Sequence, residues 1–386
     1  MKKNILFITS SLSNSAFGIT ANSIAEGLAK ICNLSIVTND RIEAAQGIKY
    51  VSIDSIPICY KIPVKISKLI LMLTAVDVTN LYWYYRCRKS IQKICIEKDI
   101  NFIYAYCSIM DGVMARVAHY LSNKTGIPYA VHYCDPIPTP RKCETYELYR
   151  VNKIKPIKDA FRNASFLSFN NDMIIRNAQN YLDFNISNKS IVVPDTCIKY
   201  PIPKESSDRV IFCYIGRFYS INRTPDKLIE AFVKAQSVEP DIYLQFVGSN
   251  VDLSKFNLPL NVLQHIEVVG WTNEVDKYIS KSSILIDITL DIEEDFFISS
   301  KLKKYLTVDR LILSIANNNS ATADFLKNLR SSVICVDHNV EAITKGLLLS
   351  YKIYDKVGFE ERNELINSIS PDYVASKIID KISNYA

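Results

Sequence analysis

A chain of 386 residues exceeds what one ordinary core organises, so two domains are expected, and a hydrophobic fraction of 48% can fill both. The net charge of +6 comes without a long Lys/Arg block, which disfavours nucleic acid and suits anionic small molecules or an anionic membrane surface. Ten cysteines show no paired spacing, and most lie in apolar runs (Cys95, Cys107, Cys213, Cys335), as expected of reduced, packed thiols in a cytosolic protein. The opening MKKNILFITSS has too short an apolar run for a secretory leader and reads as a first strand. No apolar stretch reaches the ~20 residues needed to span a bilayer.

Residues 4–9 (NILFIT) form the continuous apolar run of a buried parallel strand. The polar turn SSLSNSAFG follows, and then a helix over 19–30. Gly18 closes that loop at the carboxyl end of the strand, where open α/β sheets bind ligands and a backbone could approach one. G-x-G-x-x-G is absent, so a dinucleotide fingerprint is not supported. A second strand is expected over 34–38. The segment 56–90 is basic and aromatic: Lys61, Lys65, Lys68, Arg86, Arg88 and Lys89 flank LILMLTAV and LYWYY. It suits a pair of core helices with snorkelling lysines, the favoured reading, or peripheral contact with an anionic membrane. Residues 103–106, 129–133 and 166–169 read as strands, with helices such as 112–122 between them, which implies a parallel sheet. After the fourth strand, HYCDPIPTP places His132 and Asp135 at a carboxyl end. His132 could act as an acid–base group or orient a hydroxyl, although a strand-embedded histidine is more often packed. Asp135 could grip a polyol acceptor or serve as a plain turn residue.

Residues 194–208 read as a linker. The pattern then restarts, with strands at 210–215, 243–247, 266–269, 284–288, 311–315 and 333–336. Two α/β domains, 1–195 and 205–370, are expected to leave a cleft between facing strand ends. In YIGRFYSINRTPDKLIEAF, Gly216 permits a tight turn, Arg217 follows it, and Arg223 precedes a helix opened by Thr224 as N-cap and Pro225 at its first position. Two arginines in one loop suit phosphate or surface carboxylates alike. Gly248 and Gly270-Trp271-Thr272 end the next strands at the same edge, and Trp271 could stack on a base or pack. In DIEEDFFISSKLKKYL (291–306), an acidic loop enters a helix capped by Ser299 or Ser300, with Lys301, Lys303 and Lys304 in its first turn. Cations at the positive end of a helix are unfavourable unless an anion is held there, or unless Glu293, Glu294 and Asp295 neutralise them. No metal cluster stands out beyond the weak Asp291-Ile292-Glu293.

In order and spacing these pieces resemble the retaining glycosyltransferases of family 4, which have the two-Rossmann-domain architecture called GT-B. The resemblance covers nearly the whole chain. It rests on the first strand and Gly18 loop, GIPYAVHYCDP, G-R…R-x-P…L-I-E-A-F over 216–232, V-G at 247–248, G-W at 270–271 and S-K-L-x-x-Y over 300–305. It implies transfer of a sugar, with retention, from a nucleoside-diphosphate sugar to a hydroxyl of a glycan or lipid-linked glycan. The setting implied is bacterial capsule, lipopolysaccharide or exopolysaccharide synthesis, in the cytoplasm or on the inner face of the membrane. The resemblance puts Arg217 and Arg223 on the donor diphosphate and, with Lys301, gives them the catalytic charge. Gly216, Gly248, Trp271, Thr272, Asp295, Phe297, Ser299, Ser300 and Lys304 fall around the donor, and Gly18, His132 and Asp135 on the acceptor side. It implies no cofactor and no metal, and a final helix within 371–386 that crosses back to the first domain. Two departures stand out. The family's Glu-x7-Glu pair falls at Phe296 and Lys304, and the second Glu usually grips the ribose. Cys134 stands where members often carry His or Arg before the aspartate. Two alternatives share the architecture. One is a non-catalytic partner or glycan-binding protein, favoured by the missing pair. The other is a sugar-nucleotide 2-epimerase, for which the sequence offers only His265 at a strand start and His119 on a helix.

Overall fold

The computed structural model describes residues 2–12, 15–38, 40, 49–52, 62–78, 81–108, 112–198, 202–205, 207–218 and 222–385, without the side chains of 49–52, 64, 82, 83 and 86. Of the basic segment 56–90, residues 56–61 and 79–80 and the side chains of Tyr82, Trp83 and Arg86 lie outside the described residues, as do 13–14 and 219–221 of the two loops named above. The chain divides into two units, Met1–Cys197 with Ser368–Ala386, and Ile198–Asn367.

The first unit is built on seven strands: β1 (Asn4–Thr9), β2 (Asn33–Thr38), β3 (Lys49–Ser52), β4 (Phe102–Cys107), β5 (Tyr129–Tyr133), β6 (Phe166–Phe169) and β7 (Ser190–Val192). Its helices are α1 (Ala16–Ile31), α2 (Val64–Thr74), α3 (Leu81–Glu97), α4 (Val113–Thr125), α5 (Glu147–Asn152), α6 (Lys158–Asn163) and α7 (Asp172–Gln179). The second unit carries β8 (Val210–Ile215), β9 (Ile242–Val247), β10 (Ile266–Val269), β11 (Ile284–Ile288), β12 (Leu311–Ile315) and β13 (Val333–Val336). Its helices are α8 (Asp226–Gln236), α9 (Leu260–Leu263), α10 (Val275–Lys281), α11 (Ser300–Leu306), α12 (Ala321–Leu326) and α13 (Val340–Ile353). Then α14 (Asn363–Ser368) leads to α15 (Pro371–Ile382), which belongs to the first unit.

Every strand pairing is parallel. The sheet orders are β3-β2-β1-β4-β5-β6-β7 and β10-β9-β8-β11-β12-β13. Both are doubly wound. The order reverses between β1 and β4 in one sheet and between β8 and β11 in the other, and ligands bind such sheets at the carboxyl ends beside that reversal. Parallel strands covered on both faces read as unbroken apolar runs, which is why most of these strands are visible in the sequence. In the second unit Phe212, Tyr214, Leu244 and Ile286 pack beneath α8 and α13, while Cys213, Leu285 and Ile312 pack beneath α11 on the opposite face. Cys335, expected to be packed, is exposed instead, because β13 is the edge strand.

Helix starts are set by small polar caps. Ser15, Asn171, Ser320, Asn339 and Ser370 each accept a hydrogen bond from a backbone N–H in the first turn. Capping by Ser15 starts α1 three residues earlier than expected and draws Gly18 into the helix, where its N–H donates to Ser15 Oγ at 3.0 Å. At α8 the cap position is Pro225 rather than Thr224.

The last helix completes the core of the first unit. Val374, Ala375, Ile378 and Ile382 of α15 pack with Ile24, Ala25 and Leu28 of α1, and Lys30 pairs with Asp372 at 2.6 Å. The close approach needs Gly27, where a Cβ would stand 2.5 Å from the Pro371 carbonyl oxygen. In the second unit the fully buried Arg362 donates to the carbonyls of Val308 and Arg310 and to Ser332 Oγ. Beside it the Glu361 carboxylate accepts from the N–H groups of Arg330, Ser331 and Ser332 and from the Ser332 hydroxyl. Burial would raise Glu361, but the Ser332 hydroxyl and these N–H groups outweigh it and hold the carboxyl at about 2.

Two outcomes follow for stability. Gly27→Ala overpacks the α1–α15 contact and is expected to cost about 1–3 kcal/mol in chemical denaturation. Glu361→Gln is expected to lower stability at neutral pH. Because the folded pKa lies below the ordinary value, the wild-type advantage is full above the unfolded carboxyl pKa and shrinks as pH falls towards about 2. Denaturation midpoints of both proteins measured against pH should converge in acid.

Candidate active site

The carboxyl ends of β8 and β11 adjoin at the reversal of the second sheet, and their loops carry the charged residues singled out in the sequence. After β8 the chain turns at Gly216, whose φ of +125° is rarely open to residues with a Cβ. Asn250 fastens this turn: its Oδ1 accepts from Phe218 N and its Nδ2 donates to Phe218 O, both at 3.2 Å. Phe218 stacks on Tyr214 with ring centroids 4.5 Å apart. The turn is thereby rigid while the Arg217 side chain is exposed. Gly248, with φ +67°, ends β9 at the same edge.

Lys301 reaches this turn from α11. Its Nζ donates to Tyr214 Oη at 3.2 Å and lies 4.4 Å from the centre of the Tyr214 ring. It also stands 2.8 Å from where a Cβ on Gly216 would be, so the glycine makes room for the ammonium. Burial lowers Lys301 to about 8, opposed by the Asp287 carboxylate and reinforced by Arg223. Arg223 is half-buried, and its Nε is a buried donor without a partner. A buried unpaired donor costs free energy of order 1–3 kcal/mol, which an incoming acceptor would return.

The other two lysines of α11 behave differently from expectation. Lys303 is buried, and Lys304 pairs with Asp276 at 2.6 Å. At seven residues α11 is too short to separate a first turn from a last one, so only Lys301 meets the Gly216 turn. Ser299 occupies the cap position with no side-chain capping bond, and Ser300 is exposed. Phe296, at the first position of the absent Glu pair, is packed at 6% exposure. Asp295 is also fully buried: Leu290 N donates to its Oδ2 at 2.9 Å and Phe297 N to its Oδ1 at 3.0 Å. Burial raises Asp295 against these two bonds. Its role here is to fold the acidic loop. Thr272 Oγ1 accepts from Glu274 N at 3.0 Å, and Trp271 is 70% exposed.

Below Arg223 lies a small cavity of about 40 Å³, lined in part by Thr224, Lys227, Asp291 and His338. Lys227 pairs with Asp291 at 2.6 Å and donates to the His338 carbonyl at 2.7 Å. His338 lies 3.2 Å from Thr289 Oγ1, and burial lowers it to about 4 despite the nearby Asp291. His338 is therefore a neutral, packed ring at neutral pH. Sequence reasoning missed His338, Tyr214 and Asp287. For Asp287 a signal existed: an aspartate inside the apolar run ILIDI.

In the first unit the acceptor-side candidates separate. His132 is fully buried in β5, stacked on Tyr106 at 4.6 Å, with Nδ1 3.2 Å from Ser168 Oγ, and burial lowers it to about 4. Of the two readings of His132 the structure shows the packed one: β5 is an interior strand, and the ring is closed into the core. The Gly18 amide is likewise taken up by Ser15, whereas Asp135 remains half-exposed. Among the described residues no group of three His, Cys, Asp or Glu side chains is placed to hold a metal ion. No described helix is long and apolar enough to cross a membrane.

No family model matches the sequence, and no curated protein matches it. Solved structures do match. The apo form of the lipopolysaccharide outer core galactosyltransferase WaaB aligns over 99% of this chain and 100% of its own, with a TM-score of 0.66 at 12% identity. HepE from Anabaena, solved with UDP and glucose, aligns over 99% and 100%, with a TM-score of 0.65 at 11% identity. A Listeria monocytogenes protein described as a UDP-N-acetylglucosamine 2-epimerase aligns over 100% and 96%, with a TM-score of 0.59 at 10% identity. At such identities the shared property is the fold, and the chain has the GT-B fold of two doubly wound Rossmann-like units.

Proposed function

We propose that the protein is a glycosyltransferase that moves a sugar from a nucleoside-diphosphate donor to a hydroxyl of a glycan or lipid-linked glycan, with retention, in the building of a bacterial surface polysaccharide. One observation carries this reading. At the reversal of the second sheet, Lys301 lies against the Gly216 turn within the influence of Arg223, the same turn exposes Arg217, and among the described residues no carboxylate is hydrogen-bonded to any of the three. Such a set suits a diphosphate. The neighbours WaaB and HepE support the class, and the UDP bound by HepE makes a uridine nucleotide the first donor to test.

In this mechanism the anomeric carbon–phosphate oxygen bond breaks while a bond to the acceptor oxygen forms on the same face. Arg217, Arg223 and Lys301 stabilise the charge that gathers on the leaving diphosphate, the term usually largest in such transfers. The acceptor's proton passes to a phosphate oxygen of the leaving group.

Peripheral membrane contact would bring a lipid-linked acceptor within reach. Helix α2 rests on α5, with its Lys68 ammonium 4.7 Å from the centre of the Tyr149 ring. Its outer stripe, Ile66, Leu69 and Leu73, is 51%, 52% and 74% exposed. Tyr146 and Leu148 are also exposed, and Lys65, Arg141 and Lys142 add positive charge. An apolar stripe rimmed by cations suits an anionic bilayer surface.

Two experiments test these readings. In calorimetry against UDP, Arg223→Ala is expected to weaken binding about 10–100-fold, the worth of a charge-assisted contact, at unchanged folded-state circular dichroism. Arg217→Ala should cut turnover sharply. Nucleotide binding with free epimerised donor and no acceptor transfer would establish the 2-epimerase instead, and failure to bind any member of a nucleotide panel would favour the non-catalytic partner. For the membrane, Leu69→Ser with Leu73→Ser should lower partitioning onto phosphatidylglycerol vesicles by about tenfold or more per leucine. Sedimentation equal to the wild type would remove α2 from the contact.

A further inference from the structure

Asp287 lies within β11, in register with Ser314 of β12. Its side chain is wholly buried, and neither carboxylate oxygen has a hydrogen-bond partner. A buried carboxylate without donors is costly, and a strand interior would ordinarily carry an apolar residue there. By strand alternation Asp287 shares the α11-facing side of β11 with Leu285. Burial raises its pKa, and Lys301, then Arg223, then the Ser299 hydroxyl oppose that rise. One N–H of the Lys301 ammonium goes to Tyr214 and none is bonded to Asp287, so the carboxylate acts on it through space.

We propose that Asp287 is a positioning residue, a buried counter-ion that keeps the Lys301 ammonium charged at the Gly216 turn before any diphosphate arrives. The proposal rests on the donor-site reading above. The groups facing Lys301 are Tyr214 from β8, Arg223 from the loop after it and Asp287 from β11. Burial and Arg223 both favour the neutral amine, and Asp287 opposes them, leaving Lys301 at about 8. As pH rises through that value the cation is lost, and affinity for a diphosphate should fall. Without the Asp287 charge the fall begins at lower pH.

The test uses the intact chain with 13C-labelled lysine, its Lys301 signal assigned by loss in Lys301→Arg. Asp287→Asn is expected to lower the Lys301 midpoint by about one pH unit, and to shift the alkaline fall of UDP affinity by the same amount, about tenfold in affinity above the wild-type midpoint. A purely structural role would lower stability and leave both midpoints in place, and that result overturns the proposal. Lys301→Arg, charged throughout, should bind UDP with no alkaline fall. If the fall persists in Lys301→Arg, another group is titrating and the proposal fails, even where Asp287→Asn does not fold. A wild type that binds no nucleoside diphosphate overturns the donor site instead, and the lysine titration still decides the role of Asp287.

Discussion

The second unit depends on charge gathered at the rim of its core, where water screens only in part. Two cations, Lys301 and Arg223, and one carboxylate, Asp287, adjoin at the point where the strand order reverses, and none is fully satisfied by the protein. In such surroundings each charge acts strongly on its neighbours. Folding tolerates the arrangement because buried charges elsewhere in the unit are hydrogen-bonded. Arg362 and Glu361 saturate the carbonyls and amides around the start of β12 and β13, and Asp295 ties down the acidic loop. The free energy that packing supplies elsewhere is thus available to hold a reactive edge.

The same edge explains the local choices of residue. Gly216 is required twice over, by its backbone angle and by the ammonium lying against it. Tyr214 connects the core to the site: its ring packs with Phe246 and Phe218, and its hydroxyl accepts a hydrogen bond from the Lys301 ammonium. The first unit shows the contrast. Its histidine and aromatic residues at the equivalent level, His132 and Tyr106, are stacked and sealed, which leaves polar reach to the loops beyond the strands.

The fold was legible because parallel strands covered on both faces must be apolar throughout. The strands expected at 129–133, 166–169, 210–215, 266–269, 284–288, 311–315 and 333–336 have those bounds. The short edge strands β3 and β7 escaped, since three or four residues carry no such run. Helix starts were less legible, because the cap that wins depends on which side chain reaches an amide; Ser15 captured Gly18, and Pro225 displaced Thr224. On α2 Leu71 is packed while Ile66, Leu69 and Leu73 are exposed, because apolar spacing alone does not say which face finds a partner.

What the sequence determined by itself was the doubly wound class, through apolar runs spaced by amphipathic helices, and the presence of cations in the loops after β8 and β11. Periodicity and residue type are local properties, and they survive without coordinates. Tertiary structure alone decided which charges meet. Lys301, Lys303 and Lys304 are near-identical in sequence, yet one faces the Gly216 turn, one is buried and one is neutralised by Asp276. The aspartate in ILIDI looked like an irregularity of a strand until the sheet register and α11 placed it beneath two cations. The physical reason is that electrostatic energy depends on distance and burial, and neither is set by neighbours along the chain.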